Sequence, residues 1–136
     1  MLKFFHRYGL SSVVTMTIFY LCIARTLPTE KIPVFEGIDK VVHFLMYVVL
    51  AGVLSLDQYR QHVLFTSKKM YAWAVLFPFL YGGFIEIVQT YFPPRSAEWL
   101  DWFCDIAGVL VGFFLAKYFY PKFVRQEGES CLKNED

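Results

Sequence analysis

The sequence predicts an all-α fold, a four-helix polytopic membrane bundle with both termini on the cytoplasmic side, and three observations predict it. The first is composition. Of 136 residues, 57% are hydrophobic and 20% aromatic against 18% charged, more apolar surface than a soluble domain of this size can bury. The second is that the apolar residues gather into four runs, and a spanning helix needs about 20 such residues to cross about 30 Å of hydrocarbon. The third is the placement of lysine and arginine between those runs, which orients the helices. The formal net charge of +1 is too small to argue for nucleic acid, and no basic cluster interleaves with aromatics as a base-stacking site needs.

The first helix is expected at about 9–25. Lys3, His6 and Arg7 precede its apolar run as they would in a signal peptide. The residues after the run, Cys22-Ile23-Ala24-Arg25-Thr26, offer no small-x-small cleavage pattern, so the segment reads as a retained helix. The second helix is expected at about 39–56. Both are short, and they borrow flanking residues such as Tyr8, Ile38 and Lys40 as interfacial anchors or sit in thinner bilayer. The third, about 70–91, and the fourth, about 99–120, are long enough to span. Pro78 should kink the third, because it removes a backbone hydrogen bond and crowds the preceding turn. Gly108 and Gly112 form a GxxxG pair on the fourth, with Gly82-Gly83 on the third, and small residues let helix backbones approach closely. The membrane domain is expected to fill 1–125. The polar tail, 126–136, reads as disordered. The three cysteines, at 22, 104 and 131, are odd in number and form no CxxC pair, so they suggest neither a disulfide framework nor a zinc site.

With the amino terminus inside, the inner regions hold Lys3, Arg7, Arg60, Lys68, Lys69, Lys117, Lys122, Arg125 and Lys133, and the outer loops only Arg25, Lys31, Lys40 and Arg95. That excess orients the bundle with both ends on the cytoplasmic side. It also sets the polar residues at one level. Glu86 lies about 9 Å below the outer end of the third helix, and Asp105 about 9 Å below the outer start of the fourth, at 1.5 Å per residue. Glu86 and Gln89 are i, i+3, while Asp101 and Asp105 are i, i+4. The second helix opens with "GIDKVVHFLMYVVL", which sets Asp39, His43 and Tyr47 at i, i+4, i+8 on one face. Arg95 stands in the turn between the third and fourth helices. The inner halves of these helices carry almost nothing ionisable.

An ionisable residue inside a span costs about 2.5 to 3.5 kcal/mol at the helix centre and less near an end. Such groups are expected to pair or to face water. One reading is structural: Arg95 folds over Glu86 and Asp101, His43 bonds a carboxylate, and the network locks the helices. The preferred reading is a small cavity open to the outer face, since the acids outnumber their basic partners. In that cavity His43 is the natural proton carrier. Glu86 and Asp105 are placed to share a proton or a divalent cation. Arg95 suits a phosphate or carboxylate through its planar fork.

The order Asp39-Lys40-x-x-His43-x-x-x-Tyr47, then Glu86-x-x-Gln89, Arg95 and Asp101-x-x-x-Asp105-x-x-Gly108-x-x-x-Gly112, resembles the VanZ-like family of small bacterial membrane proteins. The match runs from about residue 28 to 112. One departure is visible, in that Asp105 stands where members often carry Asn, which adds a negative charge. The family is named for an accessory protein associated with resistance to the glycopeptide teicoplanin. The resemblance therefore implies a cell-envelope protein whose outer-face site meets a lipid-linked or cell-wall component.

Taken together, the expected site has His43, Glu86 and Asp105 as acid-base candidates and Asp39, Lys40, Tyr47, Gln89, Arg95 and Asp101 as binding candidates. Its expected partners are the bilayer and an anionic lipid-linked or cell-wall precursor. Catalysis, the substrate's identity and homo-oligomer formation are left open. A purely structural or partner-binding membrane protein is the competing class. A transporter or proton relay ranks last, because no polar path continues through the inner half.

Overall fold

The computed structural model describes residues 2–23, 37–91 and 99–133, with side chains described within 8–23, 37–91 and 99–122 apart from Asp39. All the regular structure among them is helical: α1 (Leu2–Ile23), α2 (Ile38–Arg60), α3 (Lys68–Thr90) and α4 (Trp99–Lys133). Three of these helices contain stretches long and apolar enough to cross a membrane, Lys40–Arg60, Lys68–Thr90 and Trp99–Lys122. The apolar part of α1, Tyr8–Ile23, is shorter, and a non-helical turn at Tyr8 (φ −130°, ψ 18°) separates it from the residues before it.

Three helix ends differ from the apolar pattern, each for a physical reason. The second helix is not short. It runs on to Arg60 because Asp57 and Gln58, which look like a polar end in the sequence, are buried at 4% and 0% exposure. It closes where the Gln61 and Val63 N–H groups both donate to the Gln58 carbonyl, and His62 takes a left-handed turn at φ 58°. The third helix begins at Ser67, whose hydroxyl accepts from the Met70 N–H at 3.2 Å, the usual way to satisfy an orphan first-turn donor. The fourth does not stop at Tyr120. It passes Pro121 and stays helical to Lys133, through most of the segment read as a disordered tail.

Pro78 distorts α3 in a particular way. The residues just before it, Ala72–Leu76, are wound as a wider π turn, and the Phe77 N–H donates to the Ala72 carbonyl five residues back. A proline cannot donate to the fourth carbonyl behind it. Widening the preceding turn is one way a helix absorbs that loss.

The packing hub is α2 against α4, the most extensive helix pair. The contacts run in the same order along both helices, His43 with Asp105, Phe44 with Gly108, Val48 with Gly112 and Gly52 with Tyr120, so the two are parallel. The GxxxG pair makes this approach possible. A Cβ on Gly108 would collide with the Phe44 carbonyl oxygen, and one on Gly112 with the Val48 carbonyl oxygen. The glycines thus serve helix approach, but against α2 and not against Gly82-Gly83 of α3. Contact this close matters in lipid, where helix association rests on packing and hydrogen bonds because the tails are as apolar as leucine. Behind the seam, Tyr47, Leu50, Ala51, Val109 and Phe113 form the core with Met70, Ala74 and Ile85 of α3.

The remaining two helices complete the bundle around this pair. The Tyr81 hydroxyl of α3 donates to the Thr15 carbonyl of α1 at 2.7 Å, and Gln89 Nε2 to the Cys22 carbonyl at 3.1 Å. Facing outward are Val13, Met16, Leu80, Phe84, Ile87, Phe103 and Phe114, each more than half exposed. An apolar exterior on that scale fits contact with lipid and not with water.

Candidate functional site

The polar residues gather where α2 begins, α3 ends and α4 begins. Two bridges link α2 to α4 there. Lys40 Nζ lies 3.7 Å from Asp101 Oδ1, and one turn deeper His43 Nδ1 lies 3.2 Å from Asp105 Oδ1. His43 and Asp105 are 3% and 2% exposed, so this second bridge is sealed from bulk water. The Lys40 side chain keeps a third of its surface exposed and closes the cluster on the side nearer the helix ends.

Glu86 completes the group from α3. As a residue it is half-buried, but both of its carboxylate oxygens are shielded from solvent. One donor atom each from His43, Glu86 and Asp105 lie within 4.8 Å of one another. Three helices thus bring one imidazole and two carboxylates to a single point, at the common depth that residue counting gives. That donor set is able to share protons or to hold a divalent cation.

Next to this point side chains pack closely against a glycine. Gly82 stands one turn before Glu86 on the same face of α3. A Cβ there would meet Asp105 Oδ2 at 3.0 Å, the Tyr47 hydroxyl at 3.3 Å and Trp102 Cδ1 at 3.3 Å. Asp105 Oδ2 and the Tyr47 hydroxyl have no hydrogen-bond partner among the described residues. Tyr47 itself is 0% exposed. Two buried polar atoms therefore pack beside Gly82 without a hydrogen bond, and buried polar atoms are seldom left that way without a reason.

A groove of about 580 Å³ opens beside the cluster between α3 and α4, within the size range of small-molecule sites. Its walls are Phe79, Leu80, Gly83, Phe84, Ile87, Thr90, Trp99 and Trp102, and Glu86 is its one ionisable wall residue. Trp102 is held in place by donating Nε1 to the Phe79 carbonyl at 3.3 Å. Leu80, Phe84, Ile87 and Trp99 are more than half exposed, so the groove faces the same surroundings as the apolar exterior.

Several candidate residues stand elsewhere. Gln89 does not turn toward His43. It is buried with its amide on the Cys22 carbonyl of α1, and so ties helices together away from the cluster. Arg95 and the side chain of Asp39 lie outside the described residues. Asp101 is engaged by Lys40 and sits a turn from the central three.

Residue reading also missed two things. Gly82 carries no chemistry of its own, and its only signal was a small residue four positions before Glu86. The second is a polar cluster at the opposite end of α2, which corrects the expectation of an inner half with almost nothing ionisable. Asp57 lies fourteen positions from His43, about 21 Å along the helix. Its Oδ2 accepts from the Ser11 N–H at 3.2 Å and from the Ser11 hydroxyl. Gln61 donates to the Asp57 carbonyl at 3.0 Å and accepts from the Tyr8 hydroxyl at 3.2 Å. The pair Ser11-Ser12 inside an apolar run was the available signal.

Comparison with known proteins agrees with this arrangement. The family model described as VanZ/LLP1 matches residues 2–120, which takes in all of α1, α2 and α3 and the start of α4 through Tyr120. No curated protein and no solved structure matches the chain. With that match over most of its length and three helices apolar enough to span a bilayer, the chain belongs to the VanZ-like family, VanZ/LLP1, and is a membrane protein.

Proposed function

We propose that this protein binds an anionic, lipid-linked amphiphile of the bacterial cell envelope at the end of the bundle where His43, Glu86 and Asp105 meet. The observation that carries the reading is the double position of Glu86. The same carboxylate belongs to the buried polar cluster and forms part of the wall of the apolar groove. A ligand lying in the groove would set its apolar part against Phe84, Ile87 and Trp99 and bring its polar head to the cluster. Bilayer contact along the groove supports a ligand delivered from lipid. The cation distribution supports an orientation with both termini in the cytoplasm, which would turn the cluster to the outer face of the cytoplasmic membrane. A link to teicoplanin resistance rests on the family's name alone.

The test uses purified full-length protein in detergent, exposed to phosphatidylglycerol or phosphatidylcholine, with retained lipid counted by native mass spectrometry. Retention of the anionic lipid by the wild type, reduced more than about tenfold in Gly83→Leu, which fills the groove, supports the reading. Equal retention by both proteins refutes it. Reporter fusions at Thr29 and Pro94 should read outside and those at Gln61 and Gln126 inside; a reversed pair would move the site to the cytoplasmic face.

A second reading has its own observation. The bridges Lys40–Asp101 and His43–Asp105 both run between α2 and α4, as a purely structural staple would. On that reading His43→Ala lowers the amount of folded, inserted protein as much as it lowers any ligand binding. On the first reading, binding falls while the folded amount holds.

A further inference from the structure

We infer that His43, Glu86 and Asp105 form a three-ligand site for a divalent transition metal of the Zn2+ class, with the buried Tyr47 hydroxyl beside it. The geometry of the donors is the first support. Zinc bonds of about 2.0 to 2.1 Å at tetrahedral angles place neighbouring ligand atoms about 3.3 Å apart. The His43–Asp105 pair already stands at 3.2 Å, and the whole set lies within 4.8 Å, so Glu86 needs to move inward by up to about 1.5 Å to complete such a shell. Each donor sits on a different helix, and the glycine seam holds the helices of His43 and Asp105 together.

Charge is the second support. Two carboxylates and a neutral imidazole around a divalent cation sum to zero, and a neutral assembly is what a low-dielectric membrane interior tolerates best. The donor mixture selects the metal. Magnesium and calcium favour all-oxygen shells, whereas an imidazole nitrogen beside carboxylate oxygens suits zinc, manganese or ferrous iron.

Independent of the cluster's ligand atoms is a pair of buried, unbonded polar atoms beside it. Asp105 Oδ2 and the Tyr47 hydroxyl have no partner among the described residues, belong to residues 2% and 0% exposed, and pack beside Gly82. Three protein ligands with one position left open is the pattern of a zinc site that receives a water or a substrate oxygen. Tyr47 is placed to donate to whatever fills that position. The cation site stands on this geometry alone. Its consequence rests on the amphiphile reading: a bound cation would let a strongly acidic pocket accept a phosphate head group.

The experiment measures metal per chain by mass spectrometry on full-length protein in detergent, stripped with EDTA, loaded with ZnCl2 and dialysed free of excess. The wild type should retain about one equivalent, and Glu86→Gln and Asp105→Asn less than about a tenth. Tyr47→Phe, which keeps every ligand but removes the buried hydroxyl beside them, should retain zinc yet lose phosphatidylglycerol binding. Asp57→Asn, which removes a buried carboxylate at the far end, should keep its equivalent. In case the ligand variants do not fold, the wild type's own thermal midpoint should rise with zinc and fall with EDTA. A wild type that holds less than about a tenth of an equivalent with an unmoved midpoint overturns the inference, as does Glu86→Gln retaining zinc as the wild type does. Lipid counted on the same samples separates the two readings. Zinc without lipid leaves the cation site and refutes the amphiphile; lipid retained equally with EDTA and with zinc leaves the amphiphile and removes the cation's role in holding it.

Discussion

Buried carboxylates lie at the two ends of α2, Asp57 on that helix and Asp105 facing it from α4, and they are treated in opposite ways. At one end Asp57 is enclosed by partners on its own chain: Ser11 supplies two donors to its side chain, and Gln61 and Tyr8 extend the network. At the other end Asp105 spends one oxygen on His43 and leaves the second unbonded beside Gly82. A polar group buried in apolar surroundings costs free energy unless it is bonded. The end that meets this cost internally is a fastening between α1 and α2, whereas the end that does not is where the proposed ligand would bind. Gln58 departs from the pattern, being fully buried beside Asp57 with neither end of its amide bonded among the described residues; no feature of the fold accounts for it.

The largest expected effect falls on what both ends share. Gly108→Leu drives a side chain into the Phe44 carbonyl at the α2–α4 seam, and overpacking of this kind costs about 1 to 3 kcal/mol or more. Size-exclusion chromatography of the detergent-extracted protein should show loss of the folded species, with both clusters lost together. Survival of one end without the other would mean that the seam does not join them.

Asp57→Ala should follow, costing about 1 to 3 kcal/mol because it strands the donors of Ser11. Thermal or denaturant unfolding in detergent measures it. Glu86→Gln is the matched probe at the other end. Its stability should stay within about 0.5 kcal/mol of the wild type or rise, since sites kept for ligands are often held at a cost to folding. Its phosphatidylglycerol retention should fall more than about tenfold. Should Glu86→Gln unfold as readily as Asp57→Ala, both ends are fastenings and the contrast disappears.

The smallest effect is expected for Gln89→Leu. It removes one interhelical hydrogen bond to the Cys22 carbonyl, worth about 0.6 kcal/mol on average in membrane proteins. Ligand retention should be unchanged, because the amide faces α1. A large loss of binding with little loss of stability would return Gln89 to the site.

The sequence by itself determined the helices and the depth of each polar residue along them. Hydrophobic runs separated by polar turns mark four helices because each must satisfy its own backbone in lipid. A constant rise per residue converts position in the chain into depth, which is why His43, Glu86 and Asp105 were recognisable as one level. Direction around the helix axis was legible within a single helix, as with Asp39, His43 and Tyr47, but which neighbour a face meets is set by packing. Packing alone decided that Gly108 and Gly112 lie against Phe44 and Val48 of a parallel α2, that Gln89 turns to α1, and that Gly82 packs beside Tyr47 and Asp105. Helix ends were decided the same way. Asp57 and Gln58 look like a terminus to any apolar pattern, yet a serine on α1 meets the carboxylate of the first and lets α2 continue through them. Hydropathy counts a polar residue as exposed; burial with a partner across the bundle is a property of two segments at once, and no single stretch of sequence carries it.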